Sequence, residues 1–324
     1  MTIDTGPGSA PATSSPAPAA TKAVVQRGDR IFAGSATAAG VLILLVLAGV
    51  AAFLIIEATP ALIAPAEDIP GGNGLVAYIG PLVFGTLLAA LIALLVATPL
   101  AVAVALFITH FAPRRLAQGL GYLVDLLAAV PSIIYGLWGV AVLAPASVPL
   151  TAWLNDYLGF IPIFAGPVST TGRTMFVAGL VLAVMILPII TAVSREVFLQ
   201  TPKLHEEAAL ALGATRWEMI RMTVLPFGRS GIVSGAMLGL GRALGETMAV
   251  AIVLSVSGGI TFNLISSGNP STIAANIALE FPEATGVEVS TLIASGLVLF
   301  LITLAVNSLA RFIVNRRREF SGAN

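Results

Sequence analysis

The feature that most constrains this chain is its long stretches without charged side chains. Residues 31–56 form a run of 26 residues without Asp, Glu, Lys or Arg, and residues 69–113 form another of 45. A helix needs about 20 apolar residues to cross the hydrocarbon core of a bilayer. The first run therefore predicts a retained membrane-spanning helix, because the apolar core of a cleaved signal peptide has only about 7 to 15 residues.

The composition indicates the same class of protein. Only 10% of the 324 residues are charged and 57% are hydrophobic, whereas a water-soluble domain carries about 25% charged residues. The 16 basic residues balance the 16 acidic ones, which argues against the basic surface typical of nucleic-acid-binding proteins. Two His and no Cys exclude disulfides and thiol catalysis and leave few ligands for a transition metal.

Six hydrophobic segments predict an all-α membrane protein with six transmembrane helices. The spans are expected at about 31–56, 78–111, 118–144, 174–199, 228–257 and 289–313. The second span is expected to be one long helix, bent at Pro81 and Pro99. Trp153 and Tyr157, which follow the third span, predict a short helix at the outer membrane interface.

The basic residues orient these spans. With the N-terminus inside, 14 of the 16 Lys and Arg residues fall in cytoplasmic segments, which is the asymmetry expected of inner loops. Both termini are therefore predicted to be cytoplasmic. Residues 1–29 are rich in Pro, Ala, Ser and Thr and are predicted to be a disordered tail. Residues 30–318 form the expected transmembrane domain, and residues 319–324 form a short C-terminal tail.

The cytoplasmic segment between the fourth and fifth spans is predicted to form two short helical pieces, broken at Gly213. Glu206 and Glu207 lie in the first turn, where carboxylates favour the helix dipole. The small side chains of Ala208 and Ala209 allow another protein to approach the backbone closely. The segment therefore predicts either a docking element for a second protein or an amphipathic loop that lies on the membrane.

This segment, residues 201–226, resembles the EAA loop of ABC importer permeases. The residues that match the spacing of that loop are Glu207, Ala208, Ala209, Gly213, Leu225 and Pro226. Thr223 stands where the pattern usually has Ile, and the neighbouring Val224 is expected to supply the apolar contact instead. The resemblance implies a coupling helix that inserts into a cytoplasmic ATPase subunit, with Glu206 beside the motif.

Two further stretches, residues 130–139 and 225–250, are similar to the PstC-type permeases of phosphate importers. With the six-span layout, the resemblance covers about residues 30–318. It implies the type I ABC importer permease fold in the bacterial inner or plasma membrane. It also implies a heterodimer with a PstA-like permease, two PstB-like ATPase subunits and a PstS-like extracytoplasmic phosphate-binding protein.

The chain itself is expected to be no enzyme and to bind no cofactor. Neither of its lysines follows the glycines of a G-x-x-x-x-G-K-[ST] loop. ATP and Mg²⁺ would then be bound by the partner ATPase, which the resemblance implies.

Arg242 and Glu246 lie inside the fifth predicted span, four residues apart. This spacing predicts that they share one helix face, one turn apart, and an unpaired charge there costs about 2.5 to 3.5 kcal/mol on insertion scales. The pair predicts either a structural ion pair or a lining of an anion pathway, in which Arg242 binds an oxyanion and Glu246 neutralises Arg242 between ions. The resemblance favours the pathway, because an Arg and a Glu of this motif are implicated in phosphate passage in the family.

Other residues of the spans predict packing. Gly235, Gly239 and Gly241 are close to the small-xxx-small spacing of closely packed membrane helices. Asp125 is expected to be structural, with water or a neighbouring Arg as its partner. Arg173, at the outer end of the fourth span, is expected to extend to the lipid headgroups.

Other functions stay open at this point. A lone Arg does not distinguish phosphate from molybdate, sulfate or another oxyanion. An ion-coupled secondary transporter would explain the spans and the charged pair but not the pattern from Glu207 to Pro226. A membrane-embedded enzyme would need a catalytic set, and the sequence contains no HExxH and no G-x-S-x-G motif.

Overall fold

A computed structural model describes residues 27–257 and 259–318 of the chain. Most of the predicted N-terminal tail and the whole C-terminal tail, residues 319–324, therefore lie outside the described residues. Residues 27–29, which the sequence assigns to the tail, already belong to the first helix.

The described residues are almost entirely helical. Their α-helices are α1 (Arg27–Ile63), α2 (Leu75–Leu106), α3 (Arg114–Ala128), α4 (Ser132–Trp138), α5 (Ala144–Leu158), α6 (Met175–Leu199), α7 (Lys203–Ala211), α8 (Arg216–Met219), α9 (Leu225–Leu244), α10 (Met248–Val253), α11 (Ile273–Glu280) and α12 (Val287–Arg318). Single π-helical turns continue α2 over Phe107–Phe111, join α4 to α5 over Gly139–Leu143, and join α8 to α9 over Ile220–Val224.

Among the described residues, five helical segments are long and apolar enough to cross a membrane. They are Gly28–Ile63, Leu75–Phe111, Ser132–Leu158, Met175–Leu199 and Val287–Phe312. The first, second, fourth and sixth predicted spans each correspond to one of these segments. The second is a single helical stretch of 37 residues, as the sequence predicts, with Pro81 and Pro99 inside it.

The third predicted span, 118–144, does not form one helix. The helix α3 ends at Ala128, and a new helix begins after Pro131. Pro131 has no backbone N–H to continue a helix, and it disfavours the α conformation of the residue before it. The membrane-crossing segment then runs on to Leu158, so Trp153 and Tyr157 lie in its last turns rather than in a separate interfacial helix.

The fifth predicted span, 228–257, is also divided. Helix α9 ends at Leu244, and the short helix α10 covers only Met248–Val253. The chain then runs without helix, apart from the undescribed Gly258, until α11 begins at Ile273.

The chain divides into two compact units at Val50. In the first unit, the described residues are the N-terminal part of α1, whose side chains are exposed over residues 28–50. In the second unit, α2 presents a stripe of buried alanines at a spacing of four residues: Ala89, Ala93, Ala97, Ala101 and Ala105. Small side chains at this spacing let a helix pack closely, and α6 packs on α2, with Ile92 against Gly179.

Candidate functional site

The segment between α6 and α9 forms two short helices that meet at Gly213, as the sequence predicts. Gly213 has φ +88°, a left-handed conformation that favours glycine after the end of a helix. Thr215 then begins α8, where its hydroxyl accepts from the Glu218 N–H at 3.3 Å and the Glu218 carboxylate accepts from the Thr215 N–H at 2.8 Å. This is a capping box, and its hydrogen bonds lower the pKa of Glu218.

A buried apolar cluster attaches these short helices to the long ones. Its members are Ala105, Leu106, Phe198, Ala209, Met219, Ile220 and Val224. Val224 is fully buried, so it supplies the apolar contact that was expected of it. Thr223 instead turns its hydroxyl to the Met219 carbonyl at 2.7 Å.

The opposite face of the segment is open. Glu207, Ala208 and Gly213 are exposed, and so are four large apolar side chains: Leu204, Leu210, Leu212 and Trp217. Ala209 packs inward in the apolar cluster, so it does not belong to the exposed face. An exposed apolar patch rimmed by charge is typical of a protein interaction surface.

Leu225 and Pro226 begin α9. Leu225 is half-buried and packs against the apolar cluster, whereas Pro226 is exposed in the first turn. The helix is continuous here, since the Leu225 N–H bonds to the Ile220 carbonyl across the π-helical turn. The missing N–H of Pro226 therefore falls next to an irregular turn, a combination that is common where a helix bends. Pro226 marks the point at which the docking segment, residues 201–226, passes into the membrane helix.

Arg242 and Glu246 do not lie on one continuous helix. Helix α9 ends at Leu244, the Gly245 N–H closes the last turn on the Gly241 carbonyl at 3.3 Å, and Glu246 follows the helix end. The ion pairs found among the described residues join His110 to Glu206 and Arg195 to Asp125, not Arg242 to Glu246. The expectation that the two residues share one helix face is therefore wrong, because the helix breaks between them.

Each of the two charges lies at a helix end instead. The Glu246 side chain is buried, and its Oε1 accepts from the Ala249 N–H at 3.1 Å in the first turn of α10. Arg242 lies in the last turn of α9. A carboxylate near a helix N-terminus and a cation near a C-terminus are both stabilised by the backbone dipoles.

Arg242 is half-buried. Within the described part of the chain, no hydrogen bond and no ion pair reaches its guanidinium. A guanidinium carries five N–H donors in a planar fork that suits a tetrahedral oxyanion. Arg242 is therefore available to a ligand.

Arg173 and Asn269 hold the far end of α10, a role that the sequence did not indicate. Arg173 donates from Nη2 to the Ile252 carbonyl at 2.9 Å and from Nε to the Val253 carbonyl at 3.3 Å. It thus satisfies the last carbonyls of the helix rather than extending to the headgroups. No local motif marks this role, because donor and acceptor are 80 residues apart.

Asn269 is fully buried and joins three segments of the chain. Its Nδ2 donates to the Ser255 carbonyl at 3.1 Å and to the Ser266 carbonyl at 3.0 Å, and its Oδ1 accepts from the Met175 N–H at 3.0 Å. The Asn side chain thereby ties the chain after α10 to the start of α6.

The glycines of α9 divide between two faces of the helix. Gly228, Gly231, Gly235 and Gly239 face α6, where an added Cβ would meet Phe198, Val197, Val193 or Ile190. Close packing thus accounts for Gly235 and Gly239 as predicted. Gly241 has no such neighbour, so packing does not explain it.

Asp125 has the kind of partner that the sequence predicts. Its Oδ2 lies 3.9 Å from Nη2 of Arg195 on α6. An added Cβ at Gly121, one turn before Asp125, would collide with that guanidinium. Asp125 therefore has a structural role in joining α3 to α6.

Comparison with known proteins places the chain among transport components. The family model of the binding-protein-dependent transport system inner membrane component matches residues 97–319. The chain is 48% identical over 302 residues to the phosphate transport system permease protein PstC 2 of Mycobacterium tuberculosis, covering 89% of this chain and 92% of that protein.

Two other relatives carry the name phosphate transport system permease protein PstC. That of Mycobacterium leprae is 46% identical over 317 residues, covering 93% of this chain and 98% of the relative. That of Mesorhizobium japonicum is 39% identical over 306 residues, covering 91% and 92%. With its apolar helices and its match to the family model, the chain belongs to the binding-protein-dependent inner membrane components, the multi-pass permeases of ABC importers in the bacterial plasma membrane.

Proposed function

We propose that this chain is the permease subunit that moves inorganic phosphate through an ATP-driven importer. One observation of the structure carries the proposal: a half-buried Arg242 that meets no counter-ion among the described residues, at the end of a helix that stops within the fifth span. The printed names of the relatives, which are phosphate transport permeases, support the choice of anion.

In this proposal Arg242 binds the passing anion and Glu246 shapes its surroundings. Charge-assisted hydrogen bonds from a guanidinium to phosphate oxygens are short and directional. The Glu246 carboxylate, four residues away, reduces the local positive potential, so that the bound anion is released again. Glu246 also fixes the start of α10 through Ala249.

The proposed importer also contains three kinds of partner subunit. A PstA-like permease forms the heterodimer, and a PstS-like protein delivers phosphate from outside. Two PstB-like subunits bind ATP and Mg²⁺, and one of them docks on the exposed face of this chain around Glu207, Ala208 and Gly213. In this proposal the chain itself binds no cofactor and catalyses no reaction. ATP-driven closure of the ATPase pair shifts the population between inward-open and outward-open states.

Other anions and a purely structural role are the competing proposals. Sulfate and molybdate present the same tetrahedral oxygens to a guanidinium. The hydrogen bond from Ala249 to Glu246 favours a structural role for that carboxylate, but it leaves Arg242 without a structural partner among the described residues. An ion-coupled secondary transporter is not proposed, because the chain belongs to the family of binding-protein-dependent systems.

The test is uptake of labelled phosphate by the complete complex in proteoliposomes that contain ATP. Arg242→Gln is expected to lower uptake about 10- to 100-fold, since a charge-assisted bond to the anion is lost. The matched control is Arg229→Gln, because Arg229 is exposed in the first turn of the same helix. Both variants are first checked for normal assembly with the ATPase.

Two results would overturn the proposal. One is parental phosphate uptake by a normally assembled Arg242→Gln complex, which would make Arg242 structural. The other is competition by sulfate or molybdate at concentrations well below that of phosphate, which would reassign the transported anion.

A further inference from the structure

His110 lies where the second membrane span meets the docking segment. It belongs to the π-helical turn that continues α2, Phe107–Phe111. Its Nε2 lies 3.6 Å from Oε1 of Glu206 on α7, and the two side chains are only 10% and 23% exposed. The ion pairs found among the described residues are His110–Glu206 and Arg195–Asp125, and the first of them involves the docking segment.

The imidazole is also held from its other nitrogen. Nδ1 lies 2.6 Å from the Thr109 hydroxyl, which in turn lies 2.9 Å from the Ala105 carbonyl of the preceding turn. The hydrogen bond at Nδ1 orients the ring, and Nε2 faces the Glu206 carboxylate at a distance longer than a hydrogen bond. His110 is therefore anchored to α2 through Thr109 and extends from there to Glu206.

The two carboxylates of α7 point to different environments. Glu207 belongs to the exposed face, whereas Glu206 is half-buried and turned to α2. Substituting Glu206 therefore removes the contact with His110 inside this chain and leaves the exposed Glu207 carboxylate in place. The same two elements also meet through apolar side chains, since Ala209 packs in one cluster with Ala105 and Leu106.

The docking segment connects to three membrane helices. Its backbone joins α6 through residues 200–202 and continues from α8 through Ile220–Val224 into α9 and to Arg242. Its contacts to α2 are made by side chains, in the apolar cluster and in the His110–Glu206 contact. Thr191 of α6 lies with its hydroxyl 3.5 Å from the Ala101 carbonyl of α2.

We propose that His110 and Glu206 form a positioning pair that transmits the movement of the docking segment to α2, while α6 and α9 follow the segment through the backbone. This inference rests on the proposed function, since it assumes an ATPase that drives the segment. Without the pair, ATP hydrolysis continues, but α2 follows the segment incompletely. The quantity that changes is the number of phosphate ions imported per ATP hydrolysed.

The test measures this ratio for the complete complex in proteoliposomes. His110→Ala and Glu206→Ala are each expected to lower the ratio about tenfold, and the double variant is expected to be no worse than either, as for two residues that act through one contact. His110→Gln, whose polar amide can still contact Glu206, is expected to recover part of the ratio. Glu196→Ala is the matched control, since Glu196 is an exposed carboxylate on the neighbouring end of α6.

Three outcomes would overturn the proposal that His110 and Glu206 act as a positioning pair. The first is an unchanged ratio in both single variants, and the second is a double variant whose loss is the product of the single losses. The third is loss of the ATPase from the purified Glu206→Ala complex, which would assign Glu206 to the docking surface itself. Failure of the proposed function is distinguishable, because it would appear in the unsubstituted complex as absence of ATP-dependent phosphate uptake.

Discussion

The docking segment and the break in the fifth span are both irregular, but they are held in different ways. In the docking segment, the turn at Gly213 and the cap between Thr215 and Glu218 use residues within a few positions of one another. In the break, α10 is held by Arg173 and Asn269, which come from distant parts of the chain. The polar groups of the water-exposed loop are thus satisfied by neighbouring residues, whereas a helix end inside the membrane also needs distant polar partners.

The largest expected effect comes from removing a distant partner of the break. Asn269→Leu replaces a buried amide with an apolar side chain of similar size and leaves the carbonyls of Ser255 and Ser266 and the Met175 N–H without their partner. We expect a loss of about 3 kcal/mol in the free energy of unfolding, since unpaired buried polar groups are costly. Thermal denaturation of the purified complex measures it.

The control for that variant is Asn73→Ala, because the exposed Asn73 makes only a local hydrogen bond to the Gly71 carbonyl. If the Asn269→Leu complex denatured at the parental temperature, the break in the fifth span would not depend on this distant partner.

A smaller effect is expected at Glu246, where two variants distinguish the contribution of the helix cap from that of the negative charge. Glu246→Gln keeps a side-chain oxygen that can accept from the Ala249 N–H, whereas Glu246→Leu loses both the acceptor and the charge. If capping is its main contribution, phosphate uptake should fall only about twofold in the Gln variant but about tenfold in the Leu variant, in line with the usual cost of a lost cap. Uptake by the assembled complex is the measurement. Equal losses in the two variants would instead show that the negative charge is what matters.

The smallest effect is expected at the local cap of α8. Thr215→Ala removes the hydroxyl that accepts from the Glu218 N–H, so hydrogen exchange of that amide should accelerate several-fold, while Thr215→Ser should not change it. If the rest of the complex also loosened in Thr215→Ala, the cap would not be local.

The same cap has a defined pH dependence. The pKa of Glu218 is lowered by its hydrogen bonds from Thr215, so its contribution is complete above the ordinary carboxyl pKa and is lost as the pH falls through the lowered value. Amide protection in α8 should therefore stay constant from neutral pH down to about pH 5 and decline only below it. The decline should be absent in Glu218→Gln, and a decline of the same size in that variant would assign the acid response to another group.

The sequence predicted the parts of the site that depend on neighbouring residues. The break at Gly213 follows from short-range pattern, the burial of Val224 was expected from the resemblance to the EAA loop, and both appear in the structure. Pairing of Arg242 with Glu246 was the natural expectation from a spacing of four, but that spacing brings side chains together only if the helix is unbroken. The helix stops at Leu244, and the partners that stabilise the break lie elsewhere in the chain.

By itself, the sequence determined that this protein lies in a membrane and where most of its helices run. Long uncharged segments have a low free energy only in lipid, and each membrane helix satisfies its own backbone hydrogen bonds, so little depends on distant residues. The break in the third span follows from Pro131 in the sequence, but the tertiary structure alone shows where the fifth span breaks, that Arg173 caps the C-terminal end of α10, and that His110 meets Glu206. Those features arise where residues far apart in the chain become neighbours, and the spacing of residues along one helix does not contain that information.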